Sequence, residues 1–268
     1  MDEISAASSG SGRRGRVRWA CGALQDPENE GRSLQDREAG PSGSVEPAGS
    51  LFEGQGPSVL QDDGRYVMWY DARAPGPDRS IVSVGLAASA DGQSWAKHGG
   101  SPVIPAEARW PCVLPLPGGD GFRIWFGTEV GLAIQTARSA DGITWTDVQT
   151  ALSAGSPGQF DDLNAACPRV VQVGDEYLML YDVGSSAQED PTDKFQGLGL
   201  ARSPDGVNWT KHGVVLPLGL EGTPDSYRVF GACILYDDRA RLLHVWYTAT
   251  GSMRDIRSIR HAGNQSRN

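Results

Sequence analysis

Acidic residues stand just ahead of several short apolar runs, at recurring places along the chain. Glu53 precedes Pro57-Ser-Val-Leu60, and Glu107 precedes Pro111-Cys-Val-Leu114. Asp161 and Asp162 precede Pro168-Arg-Val-Val171, and Asp225 precedes Gly231-Ala-Cys-Ile-Leu235. A second acidic set, Asp71, Glu129 and Asp182, follows the next apolar run of its unit. Carboxylates at matching places in a repeat converge when the repeats close around an axis. Cleavage of a glycosidic bond needs two such groups, one protonated as acid and one ionised as base or nucleophile. Crowding separates their pKa values, which keeps one of them protonated near neutrality. Glu53, Asp162 and Asp225 are therefore the candidate catalytic carboxylates.

Asp71, Arg109, Trp110, Glu129, Arg169, Asp182, Tyr227 and Arg228 lie beside them and form the candidate substrate-binding set. The arginines suit an anionic or hydroxylated ligand, and the Trp110 ring suits the apolar face of a sugar. Each also has a structural reading. Carboxylates ahead of a strand cap turns through backbone N–H groups, with Asp161 the strongest case. The arginines can pair with those same carboxylates, and Trp110 can pack in the core. No His, Cys or carboxylate spacing specifies a metal, and no cofactor is expected.

The elements that position these residues are repeated. Ser89-Ala-Asp-Gly-Gln-Ser-Trp95, Ser139-Ala-Asp-Gly-Ile-Thr-Trp145 and Ser203-Pro-Asp-Gly-Val-Asn-Trp209 share one pattern. An Asp-Gly pair between strand-like runs marks a hairpin, because Gly accepts positive φ. Each Trp opens the following strand and is expected to be buried beside its turn. Upstream of each turn lies a second hairpin. Its second strand reads Tyr66-Val-Met-Trp-Tyr70, Phe122-Arg-Ile-Trp-Phe126, Tyr177-Leu-Met-Leu-Tyr181 or Leu243-His-Val-Trp-Tyr247.

The resulting four-stranded unit of about 50–65 residues has the period of a propeller blade. The pattern predicts an all-β propeller with blades at 55–100, 108–150, 162–215 and 229–262. A fifth, degenerate blade or a mobile stretch is expected at 25–50, where Glu, Gly, Ser and Pro dominate. The fourth blade stops after Ser258-Ile-Arg-His261, and Arg16-Val-Arg-Trp-Ala20 is expected to complete it. The domain expectation is a disordered 1–15, one propeller over 16–262 and a tail at 263–268.

Composition narrows the partners. The 268 residues carry a net charge of −9, which disfavours non-specific nucleic-acid binding. No apolar run is long enough for a membrane helix, and the N-terminal segment has no signal-peptide core. The four cysteines share no close spacing and are expected to be reduced. A cytoplasmic protein is expected, with a carbohydrate or other small molecule as ligand.

The pattern of Phe160-Asp161 with Pro168-Arg-Val170, Tyr66-Val-Met-Trp-Tyr70 and Gly199-Leu-Ala-Arg-Ser-Pro-Asp-Gly-Val-Asn-Trp209 resembles the five-bladed propeller superfamily of arabinanases, levansucrases and invertases, the glycoside hydrolase 43/32/68-like clan. The resemblance covers about residues 51–262. It implies a carbohydrate-active hydrolase or transglycosidase with three carboxylates from different blades around a central channel. The early Asn-Asp-Pro-Asn and Arg-Asp-Pro motifs of those enzymes have no clear equivalent here. Two other functions remain open: a propeller that binds a small molecule or runs another reaction in that pocket, and a non-catalytic interaction scaffold.

Overall fold

The computed structural model describes residues 19–20, 56–62, 64–73, 82–99, 102–105, 107–128, 131–187, 195–252 and 258–265. Each repeat forms an antiparallel sheet whose strands lie side by side in chain order. Blade 1 holds β2 (Ser58–Asp62), β3 (Arg65–Arg73), β4 (Val82–Ser89) and β5 (Ala96–Lys97). Blade 2 holds β6 (Arg109–Pro115), β7 (Phe122–Gly127), β8 (Ala133–Ser139) and β9 (Thr146–Ser153). Blade 3 holds β10 (Asn164–Val173), β11 (Glu176–Gly184), β12 (Gly197–Ser203) and β13 (Thr210–Pro217). Blade 4 holds β14 (Arg228–Asp237), β15 (Leu242–Thr250) and β16 (Ser258–Gln265).

The first strands pack on one another in order, β2 on β6, β6 on β10 and β10 on β14. They line an axial cavity of about 100 Å³ whose walls include Val59, Val113, Leu114, Val170 and Ile234. The chain is thus an all-β propeller. The degenerate fifth blade predicted at 25–50 lies outside the described residues. Among the described residues no helix is long and apolar enough to cross a membrane.

The N-terminal strand departs from expectation. β1 (Trp19–Ala20) pairs antiparallel with β2, Trp19 opposite Leu60 and Ala20 opposite Val59. It extends blade 1 on its axial edge instead of completing blade 4. The reason is geometric: the inner edge of β2 offers free backbone groups just as the outer edge of blade 4 does. Among the described residues blade 4 keeps only the three strands its own segment supplies, and β16 runs on past residue 262.

The Asp-Gly turns are uniform. In each, the Ser hydroxyl caps the Gly N–H at 2.8 Å, and the Asp carboxylate accepts two N–H groups downstream. These bonds hold the Asp91 and Asp141 carboxyls below the ordinary carboxylate range.

Burial of the turn tryptophans corrects the sequence expectation: Trp95, Trp145 and Trp209 are only half-buried. They start the outermost strand, which has a neighbour on one side only. Among the described residues the buried tryptophans are Trp69 and Trp125 of the second strands and Trp110 of the first strand of blade 2. Trp69 donates its indole N–H to Gly142 O at 2.9 Å, and Trp125 donates to Gly206 O at 2.8 Å. Each plugs the Asp-Gly turn of the next blade. Blade 3 has Leu180 at that place, and blade 4 has no Asp-Gly turn to receive a tryptophan.

Cys112, Cys167 and Cys233 are free thiols, while Cys21 lies outside the described residues. Thiol titration in denaturant without reductant is expected to count four; a count of two would mean that a disulfide forms.

Candidate functional site

Antiparallel order puts the starts of the first strands, the ends of the second and the starts of the third on one axial face. This leading face is opposite the Asp-Gly turns. The first strands of blades 2, 3 and 4 each begin there with a bulge. Trp110, Cys167 and Gly231 adopt φ of 54°, 51° and 61°, and the pairing register slips beside each. Positive φ is unfavourable for Trp and Cys, so the surroundings must impose it. Neighbouring blades do so in part. Asp71, near the end of β3, accepts the Trp110 N–H at 2.6 Å. Asp182, at the matching place in β11, accepts the Gly231 N–H at 2.9 Å. Two of the expected substrate-binding carboxylates are thus buried and join one blade to the next.

Arg169 follows the third bulge and is itself buried. Its Nη1 donates to Pro168 O at 2.7 Å and Trp110 O at 3.4 Å. The guanidinium lies against Gly56 in blade 1, where φ is 74° and a Cβ would collide with it. That position must be glycine. Asp182 completes this inner group. Burial raises its pKa to about 7, against the opposing pull of the Cys167 thiol, the Gly231 N–H and Arg169. Its Oδ2 has no hydrogen-bond partner. Burial, reinforced by Asp182, also pushes the Cys167 thiol up.

Asp162 sits farther out and is half-buried. The Ser186 hydroxyl, the Ser186 N–H (2.7 Å) and the Gly158 N–H (2.6 Å) all donate to its carboxylate. They hold its pKa below the usual range, so it is ionised at neutral pH. Asp161 is fully buried between Lys211 Nζ (2.6 Å) and the Tyr181 hydroxyl (3.0 Å).

The backbone registers align Asp225 with Asp161 and Ser226 with Asp162. Gly155 N–H donates to Asp161 O and Gly219 N–H to Asp225 O, at 3.2 and 3.0 Å. Tyr247, the counterpart of Tyr181, donates its hydroxyl to Asp225 at 3.3 Å, and Thr223 donates at 2.7 Å. Among the described residues no hydrogen bond or ion pair joins Asp162 to Asp225. Glu53 and Glu129 lie outside the described residues.

Cations and aromatic rings share the rest of the face. The Arg109 guanidinium lies 4.3 Å from the Trp110 ring centroid. Arg228 lies 5.1 Å from Tyr227 and 5.8 Å from Phe195, whose ring meets Phe230 at 4.9 Å. Sequence reasoning missed Phe195, Phe230 and Lys211. Phe195 sits between strands with no repeat signal, whereas Lys211 at the outset of β13 has none that tells it from a solvent-facing lysine.

Five buried polar atoms on this face have no hydrogen-bond partner: Arg109 Nε, Thr128 Oγ1, Asp161 Oδ1, Asp182 Oδ2 and Thr250 Oγ1. Buried polar groups are nearly always satisfied, and these atoms gather at the polar, leading end of the blades. The axial walls are apolar apart from Arg169, Ser58, Gln172 and the single carboxylate Asp238. Among the described residues no cluster of His, Cys, Asp and Glu could hold a metal ion.

No protein-family model and no curated protein sequence matches the chain. Among solved structures it is similar to an N-acetylgalactosamine deacetylase from F. plautii, at 19% identity and TM-score 0.58, over 75% of this chain and 69% of that one. It is similar to a β-1,2-mannobiose phosphorylase from Listeria innocua, at 16% identity and TM-score 0.61, over 79% of this chain. It spans only 58% of that phosphorylase. An endo-arabinase from Bacteroides thetaiotaomicron VPI-5482 matches at 16% identity and TM-score 0.57, over 76% of this chain and 72% of that one. The likeness is one of fold: the chain is built on the β-propeller architecture found in these carbohydrate-active enzymes.

Proposed function

We propose that the chain is a carbohydrate-active propeller that takes its sugar on the leading face and cleaves or transfers a glycosidic bond there. The observation that carries this is Asp162, an ionised and partly exposed carboxylate on the same face as the Tyr227–Arg228 pair and Arg109; the Trp110 ring, expected to face a sugar, is instead buried beneath Arg109. Sugars are held by aromatic faces with a few polar groups that fix orientation, and an ionised carboxylate is the base or nucleophile that glycosidic cleavage requires. Similar structures include proteins named as glycoside hydrolases and phosphorylases. Asp162 is the leading carboxylate, with Asp225 and Glu53 as the others of the set.

Binding without cleavage is the second reading. It is favoured by Asp225, which matches the scaffold residue Asp161 and is tied to Tyr247 and Thr223 in its own loop. Aryl glycosides and fructans, assayed with wild type and with Asp162→Asn and Asp225→Asn, separate the two. Under the first reading, Asp162→Asn lowers kcat/KM about a hundredfold because the amide cannot ionise, while the fold is retained with a modest drop in melting temperature from the weakened bonds to Ser186 and Gly158. Sugar binding by a wild type inactive on the whole panel would establish the second.

A further inference from the structure

We propose that Arg109, Trp110 and Thr128 form a subsite for the carboxylate of a hexuronic acid, so that the sugar taken on the leading face is an acidic one. This rests on the carbohydrate reading above. Blades 1 and 3 place Asp71 and Asp182 near the ends of their second strands, after Tyr70 and Tyr181. Blade 2 has Gly127 there, after Phe126. Blade 4 has Thr248 there, after Tyr247, so blade 2 is the one that gives up the side chain at this place altogether.

Gly127 makes room for an aromatic ring. A Cβ on it would stand 2.8 Å from Trp110 Cε3 and 3.1 Å from Cζ3. The Trp110 ring therefore lies directly on the strand, and the Arg109 guanidinium lies on the ring. Where blades 1 and 3 place a carboxylate, blade 2 places a cation. Among the described residues no carboxylate, carbonyl or hydroxyl accepts a hydrogen bond from the Arg109 guanidinium, and its Nε is buried without a partner. Thr128, one residue beyond β7, has a buried hydroxyl in the same condition. A half-buried cation without an anion is costly.

The chemistry of the missing partner follows. Stacking on Trp110 leaves the edges of the guanidinium open, and that planar fork matches a carboxylate through two parallel N–H···O bonds. One guanidinium neutralises one negative charge. A phosphate dianion would need a second cation, and Arg169 already donates to Trp110 O and Pro168 O. A hexuronic acid supplies the single planar anion on a sugar ring.

Calorimetric titration of the full chain with methyl galacturonoside, methyl galactoside and inorganic phosphate tests this. Wild type is expected to bind the galacturonoside, less tightly as NaCl rises from about 0.05 to 0.5 M. Arg109→Gln is expected to weaken that binding at least about tenfold, with Arg109→Lys in between. Melting of Arg109→Gln within about 2 °C of wild type shows that the loss is not unfolding. Equal binding of the neutral galactoside, or unchanged galacturonoside affinity in Arg109→Gln, overturns the acidic subsite and leaves the carbohydrate reading standing. Phosphate binding as tightly as the galacturonoside overturns it in favour of a general anion site. Failure of both sugars to bind overturns the subsite and the carbohydrate reading together.

Discussion

Trp125→Ala is expected to lower the stability of the propeller by about 3–5 kcal/mol, the range for truncating a buried aromatic side chain. Trp125 is fully buried and joins blade 2 to blade 3. Its indole N–H reaches Gly206 O at 2.8 Å. Its ring meets Trp209 edge-on at 6.2 Å and Tyr177 at 6.0 Å. Truncation opens a cavity between two blades and leaves Gly206 O with the longer bond from Trp209 alone. Trp209→Ala should cost less, since half of that ring already faces water. Trp125→Phe should recover most of the packing but not the hydrogen bond, leaving a deficit of about 1–2 kcal/mol. Urea midpoints of the three variants rank them. If Trp209→Ala proves as costly as Trp125→Ala, the inter-blade plug is not the main fastening.

Neither plug is visible within one repeat. The sequence marks Trp69 and Trp125 as strand residues, but their acceptors lie 73 and 81 residues downstream, in the next blade. The Asp-Gly turns were legible because they are local: Ser, Asp and Gly satisfy one another within a few residues. The second-strand hairpins were legible from their alternation for the same reason. Burial of the turn tryptophans was misjudged because a strand's place at the edge of a blade is not written in its own pattern. The N-terminal strand was recognisable as a strand, but its partner was a choice between two open edges.

The site was legible to a similar depth. Its face followed from antiparallel order alone. Its individual roles did not, because a bulge shifts the first strands of blades 2, 3 and 4 and blurs which carboxylate matches which. Asp162 and Asp225 stand comparably ahead of their strands in sequence, yet hydrogen bonding pairs Asp225 with Asp161. Asp71 and Asp182 looked like ligand contacts from their position. Their role across the blade boundary depends on a backbone N–H turned by positive φ, at Trp110 for Asp71 and at Gly231 for Asp182; a tryptophan does not announce such a φ, and the glycine does not say which blade accepts its N–H.

Asp182 makes stability depend on pH in an unusual direction. Burial raises its folded pKa to about 7, well above the ordinary carboxylate value near 4. The folded chain therefore holds a proton that the unfolded chain has released across this interval. Linkage then makes stability fall as pH rises from about 4 to about 7, by roughly 4 kcal/mol for this group alone. Above that range the folded state carries a buried carboxylate whose Oδ2 is unpartnered. Asp91, Asp141, Asp162 and Asp205 act in the opposite sense, because their lowered pKa values favour folding at higher pH. Wild type alone therefore mixes the two effects, and a variant must separate them. Asp182→Asn keeps an oxygen for the Gly231 N–H but cannot ionise. Its stability relative to wild type should rise by several kcal/mol between pH 4 and pH 8, mostly before neutrality. Denaturation midpoints across that range measure the difference directly. A difference that stays flat with pH would mean that Asp182 ionises normally, through relaxation of the joint between blades 3 and 4 or entry of water beside Cys167.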